Sequence, residues 1–176
     1  MISNNEVKRT FKIVLNSFNT NSYTGNQFNA NYMIDLTKII NDESAFDKSY
    51  KVTCNFVTKS ESIANNQITS TTLYTLALNF NIGGLQVYNY DLAQNTSFIL
   101  PVENITDSGG TVHTLLKMTE NKEKALFLQN IRNMTNIYLN VYQSSVISAG
   151  NYSTALFNPA SPDNSKYICI LTFEEC

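Results

Sequence analysis

The pattern of apolar and polar positions is organised around residues 125–143, ALFLQNIRNMTNIYLNVYQ. Leu126, Phe127 and Leu128 open this stretch, Gln129 and Asn130 interrupt it, and Arg132 to Thr135 read as a turn. Ile137, Leu139 and Val141 then alternate with Tyr138, Asn140 and Tyr142. Successive side chains of a strand point to opposite faces, so this pattern predicts strand, turn, strand. Three aliphatic residues on one face and two tyrosines on the other suit a strand pressed on a core on one side and on a partner on the other.

The same period of two recurs along the chain. In residues 7–18 Val7, Phe11, Ile13 and Leu15 occupy odd positions against Lys8, Lys12 and Asn16, with Val14 as the exception. A loop by composition follows at 19–26, where Gly25 can take a positive φ. Phe28, Ala30, Tyr32, Ile34 and Leu36 then alternate with Asn29, Asn31, Met33 and Asp35. Tyr50, Val52, Cys54 and Phe56 form another such run, as do Tyr74, Leu76, Leu78, Phe80 and Ile82, which Gly83-Gly84 stops. Across those glycines 85–90 is expected to pair back as a hairpin. Residues 97–102 and 111–118 are shorter strands flanking a turn-rich stretch at 104–110, and 119–124 (TENKEK) reads as a solvated loop. The closing run Tyr167, Cys169, Leu171 and Phe173 is apolar on both faces. The one helical candidate is 35–47, where Leu36, Ile39 and Ile40 share a face for little more than a turn.

About eight strands, at most one short helix and polar loops predict an all-β fold, an antiparallel sandwich of two sheets, with the jelly roll matching the strand count. Periodicity serves an immunoglobulin-like sandwich equally, but the Cys and Trp spacing of such domains is missing. The core is expected to include Phe11, Ile13, Tyr32, Ile34, Cys54, Phe56, Leu76, Leu78, Leu139 and Phe173. Residues 1–176 form a single domain by length, with an extended N-terminal arm at 1–7 and a long Ser-, Asn-, Gly- and Pro-containing loop at 144–166. That loop carries Val146, Ile147, Tyr152, Leu156 and Phe157. Five apolar side chains in a polar connection need a surface to cover them, either their own sheet or, as the length and weak alternation favour, a partner.

Composition narrows the function. The chain has 12 basic and 14 acidic residues, a formal net charge of -2, ten Tyr, ten Phe and no Trp. Without a basic excess, nucleic acid is not expected as a direct partner. The 25 Asn, with many Ser and Thr, supply the polar surface that Lys and Glu usually supply. No segment approaches the roughly 20 apolar residues of a membrane-spanning helix, and no apolar signal core follows the N-terminus, so cytosolic synthesis is expected. Cys54, Cys169 and Cys176 lack metal or disulfide-framework spacing, and the first two read as small buried apolar residues.

Catalytic sets are hard to assemble from these residues. His113 is the single histidine, too few for a cupin-type metal site, and any Ser or Cys nucleophile would have that one imidazole as its base. The sequence holds no nucleophile elbow, phosphate-cradling glycine loop or calcium loop. Acidic residues at Asp42, Glu43, Asp47, Glu174 and Glu175 read as solvated ends of elements. Four Asn-x-Ser/Thr sites, at Asn95, Asn104, Asn133 and Asn151, match chance in so Asn-rich a chain and imply no glycosylation. No catalytic residue, cofactor or metal is therefore expected.

Taken in order, RTFKIVLNSF, NANYMIDLTKI, SYKVTCNF, ALFLQNIRNMTNIYLNV and the closing YICILTFEE resemble the small minor capsid proteins of icosahedral large double-stranded DNA viruses of algae and protists. That resemblance implies a single jelly roll that cements or lines the shell beneath double-jelly-roll major capsid trimers, or forms a penton as a homo-oligomer. Its partners would be the major capsid protein and other minor capsid proteins, and its location the virion, assembled in the host cytoplasm. The residues themselves agree with a surface-presenting role: low charge, many amides and tyrosines, and strands apolar on both faces. The runner-up is a carbohydrate-binding sandwich, which exposed Tyr and Asn would serve, although Trp, the usual stacking ring, is absent.

Overall fold

In the computed structural model, the described residues are 8–26, 28–60, 68, 72–82, 84–85, 88–89, 94–95, 98–120, 125–148, 151–157 and 165–176. They form strands β1 (Thr10–Asn16), β2 (Tyr23–Asn26), β3 (Asn29–Met33), β4 (Ser49–Ser60), β5 (Leu73–Phe80), β6 (Gly84–Leu85), β7 (Tyr88–Asn89), β8 (Gln94–Asn95), β9 (Phe98–Leu100), β10 (Val102–Thr106), β11 (Val112–Met118), β12 (Leu126–Gln129), β13 (Asn136–Ser148), β14 (Asn151–Leu156) and β15 (Ser165–Glu175). No α-helix occurs among the described residues. The expected helix at 35–47 is two 3-10 turns, Leu36–Lys38 and Glu43–Asp47. The Asp35 and Asp42 side chains cap them by accepting from Thr37 N–H and Ser44 N–H. Too few residues share an apolar face there to hold a full helix.

Two antiparallel sheets make an all-β sandwich. Sheet A runs β1-β15-β4-β11-β10, with β12 also on β4 and β6 on β12, and sheet B runs β2-β3-β13-β5-β9, with β14 on β13. The pairings are nested. β1 pairs with β15, β3 with β13, β4 with β11 and β12, and β5 with β9. The chain is thus one long ribbon doubled back between β5 and β9 and rolled so that its length alternates between the sheets.

Particular residues make the crossings. Gly25, at φ +95, lies where a Cβ would collide with the backbone carbonyl of Asn29, which fixes glycine at the β2–β3 turn. Pro101 separates β9 in sheet B from β10 in sheet A; lacking an N–H it cannot continue a ladder, and its carbonyl accepts from Lys117 N–H at 3.0 Å. β12 and β13, adjacent in sequence, lie in opposite sheets. The step between them contains Asn130 at φ 52, whose side chain accepts from Arg132 N–H at 3.1 Å.

The alternating residues meet between the sheets. Sheet A contributes Ile13, Leu15, Val52, Cys54, Phe56, Leu116, Leu126, Leu128, Tyr167, Leu171 and Phe173; sheet B contributes Tyr32, Leu76, Leu78, Phe80, Phe98, Ile137, Leu139 and Val141. Rings bridge the layers, Phe80 with Phe173 at 6.3 Å and Phe28 with Tyr167 at 5.5 Å. The buried Tyr32 and Tyr167 hydroxyls share a hydrogen bond of 2.8 Å, so two polar groups enter the core at no unpaired cost. Of the expected core, Phe11 and Ile34 are only partly buried and pack on its rim, because β1 is at the edge of its path and β3 ends at Met33.

Four further expectations change. The loop read at 19–26 is a 3-10 turn, Thr20–Ser22, followed by strand β2. Residues 104–106 of the turn-rich stretch belong to strand β10, paired with β11 through a turn in which Asp107 accepts from Gly109 N–H and Thr111 N–H. Gly84 and Leu85 pair with Leu128 and Phe127 of β12 rather than back across the glycines. The described part of the long loop at 144–166 is largely ladder: β13 runs on to Ser148 and β14 returns against it, with a register shift between Val146 and Ser148. The arm at 1–7 lies outside the described residues.

Truncating Leu78 or Leu171, both fully buried, to Ala is expected to cost about 2 to 5 kcal/mol. Val14→Ala, at a position 58% exposed on β1, should fall within about 0.5 kcal/mol of wild type. Urea midpoints at unchanged m-value check both, and equal losses at all three positions would contradict this assignment of faces.

Candidate interaction surface

Of the five residues proposed as partner contacts, the structure fixes the role of one. Phe157 is 1% exposed and packs edge-on against Phe28 at 4.8 Å and Tyr74 at 5.4 Å. Its backbone N–H donates to the Val141 carbonyl at 2.7 Å. This corrects its reading as a free contact: the β13–β14 hairpin delivers the ring back to its own core. Val146 and Ile147 lie in β13, and Tyr152 and Leu156 in β14, with Val146 opposite Tyr152 and Leu156 opposite Tyr142. The side chains of these four are outside the described part of the molecule.

The outward face of sheet A carries an apolar strip that the alternation alone does not reveal. Phe18, Val57, Ile105 and Ile168 are each between 37% and 42% exposed, and with His113 and Leu115 they line a shallow depression of about 410 Å³. Register explains their assembly: Ile168 of β15 lies opposite Val57 of β4, Val57 opposite Lys117 of β11, and Ile105 of β10 opposite His113. Thr58 is buried between the strands, where its Oγ1 accepts from Leu116 N–H at 2.8 Å. His113 Nε2 sits 3.0 Å from Asp107 Oδ2, so the single histidine is paired within its own hairpin. The outward face of sheet B differs. Asn29, Asn31, Asn79 and Asn140 surround Tyr138, whose register partners are Asn31 and Asn79, and Asn136 Nδ2 donates to Asn31 Oδ1 at 2.9 Å.

Charge concentrates at one end of the sandwich. Arg9 reaches Asp42 at 2.6 Å and Glu175 at 3.2 Å, and Lys48 approaches Glu175 at 3.6 Å. Arg132 holds Asp47 through two bonds, 2.9 and 2.7 Å, and lies 5.8 Å over the Phe46 ring. These acids are therefore paired rather than merely solvated. Beside them a broad ledge of about 830 Å³ is lined by Met33, Leu36, Phe46, Arg132 and Met134.

Hydrogen bonds from the Ser44 hydroxyl and N–H hold the Asp42 carboxyl below its ordinary pKa, with Arg9 adding to them. Arg132 does the same for Asp47. At Glu175 partial burial pushes upward, but the Arg9 N–H and guanidinium, with Lys48, outweigh it and the net shift is downward. Among the described residues no three His, Cys, Asp or Glu side chains converge as a metal set, and no helix is long and apolar enough to cross a membrane. Comparison with protein-family models, curated proteins and solved structures finds no match.

The depressed carboxyls fix a sign. Each contributes stability in full above its unfolded value, 3.8 for Asp and 4.5 for Glu, and loses it as pH falls through the lower folded value. Melting temperature should therefore be flat above about pH 5 and drop below about pH 4. Glu175→Gln should shrink the drop, and a melting curve as steep as wild type in that variant would remove Glu175 from the account.

Proposed function

We propose that this chain is a single jelly roll acting as a structural minor capsid protein of a large icosahedral DNA virus. In this reading it cements or lines the shell through major capsid capsomers and other minor capsid proteins, or forms a penton. The observation that supports the fold half is the nested pairing: strands taken alternately from the two halves of one rolled ribbon give the sheet orders β1-β15-β4-β11 and β3-β13-β5-β9, an order that favours the jelly roll among two-sheet sandwiches. The ordered resemblance of the sequence to minor capsid proteins supports the functional half.

The apolar strip of Phe18, Val57, Ile105 and Ile168 supports a role by contact, since exposed apolar area gathered in one place is a common mark of protein interfaces. A carbohydrate-binding module remains the second reading, favoured by Tyr138 standing among Asn29, Asn31, Asn79 and Asn140 on sheet B.

Mass spectrometry of purified particles tests the capsid reading: a stoichiometric presence is expected, and detection in the infected-cell lysate alone would overturn it. The paired variant Val57→Lys, Ile168→Lys should fold with a melting temperature close to wild type yet enter particles at least about tenfold less well, an interface loss of about 1.4 kcal/mol. Strong, specific binding on a glycan array would favour the second reading.

A further inference from the structure

Two cysteines that the sequence places 115 residues apart meet inside sheet A. Leu171 lies opposite Cys54 and Cys169 opposite Phe56 in the β4–β15 ladder, so Cys54 and Cys169 are diagonal neighbours on the inward face. Right-handed strand twist brings one diagonal of each antiparallel pair close. The two sulfur atoms are 3.5 Å apart. Cys54 is 2% exposed and Cys169 fully buried, and both are free thiols. A small cleft of about 230 Å³, lined by Phe98, Ile99, Pro101, Lys117 and Met118, reaches Cys54. Packing alone would not require both positions to be sulfur, and no other pair of described cysteines is in contact.

We propose that Cys54 and Cys169 are a latent cross-strand disulfide, closed by exchange with a small disulfide and opened by a small thiol. The Cys54 thiolate, on the cleft side, attacks one sulfur of the reagent disulfide, forming a mixed disulfide and releasing one reagent thiol. The Cys169 thiolate then attacks Cys54 Sγ and displaces the second. The protein loses two hydrogens and two electrons, and the reagent disulfide gains both as two thiols. A bond between sulfurs now 3.5 Å apart needs an approach to about 2.0 Å, within reach of side-chain rotation and a slight strand shift. Closed, it staples the last strand to a strand from the first third of the chain and restricts the unfolded state through a long loop. The inference rests on the β4–β15 geometry and not on the capsid reading.

The test uses the full chain carrying Cys176→Ser, which removes the exposed third thiol. The folded protein is incubated with 2-hydroxyethyl disulfide at mildly alkaline pH, because burial pushes the Cys169 thiol well up. The expected product has lost two hydrogens in intact mass, gives one linked peptide pair containing positions 54 and 169, melts at least about 5 °C higher, and reverts with dithiothreitol. Cys54→Ser in the same background should lose no hydrogens. Two free thiols persisting in the folded chain, while the urea-unfolded chain oxidises under the same reagent, would overturn the proposal. So would a linked product that melts lower than the reduced chain, since the bond would then strain the sheet instead of stapling it.

Discussion

The last strand of the chain sits in the middle of a sheet. β15 pairs along all eleven of its residues with β4 on one side, and along seven of them, Ile168 to Glu174, with β1 on the other. Its inward residues Tyr167, Cys169, Leu171 and Phe173 are all fully buried. Sheet A is therefore incomplete until β15 joins it, and among the described residues β1 has no other ladder partner. Pairings so remote in sequence delay the return on chain entropy, so folding should be slow for a domain of this size. The structure secures that strand at both ends. Near its start Ser17 and Tyr167 exchange bonds, Ser17 N–H to the Tyr167 carbonyl at 3.2 Å and Tyr167 N–H to Ser17 Oγ at 2.7 Å. At its finish Glu175 N–H donates to the Arg9 carbonyl and Cys176 N–H to the Ser49 carbonyl.

The aromatic residues explain how a chain with few charges keeps one arrangement of its core. Phe56 and Tyr167 stack at 5.3 Å, Phe11 and Phe173 at 4.5 Å, and Phe157 meets Phe28 and Tyr74 edge-on. Rings have a preferred geometry that aliphatic side chains lack, which discriminates against a slipped register. Arg9 and Arg132 supply the equivalent specificity at the surface of one end, each joining the 3-10 segment to a distant part of the chain. Exposed ion pairs add little stability, so their value is in fixing where 35–47 lies over the open end of the core.

The two outward faces have different chemistry. Sheet B gathers amides around Tyr138 and exposes Met33, Leu73 and Ile99 on separate strands, whereas sheet A brings Val57, Ile105 and Ile168 from three strands together beside Phe18. Contact of a neighbour with that strip would remove contiguous apolar area from water.

The sequence by itself determined the class of fold and most of the inward face. Strict alternation identified Tyr32, Cys54, Phe56, Leu76, Leu78, Leu139 and Phe173 as core because period two ties each residue's face to its neighbours', whatever the partner strand. It also located the 125–143 strand, turn and strand. Which strands pair was decided only by tertiary structure, since periodicity carries no information on partners. The 144–166 segment shows the consequence. Weak alternation read as a loop with five unpartnered apolar residues, whereas pairing with β13 makes a hairpin there and Phe157 finds the core. The Phe18, Val57, Ile105 and Ile168 strip and the Cys54–Cys169 contact were illegible for the same reason: each joins residues from separate strands, and register, set by packing over the whole sandwich, is what brings them together.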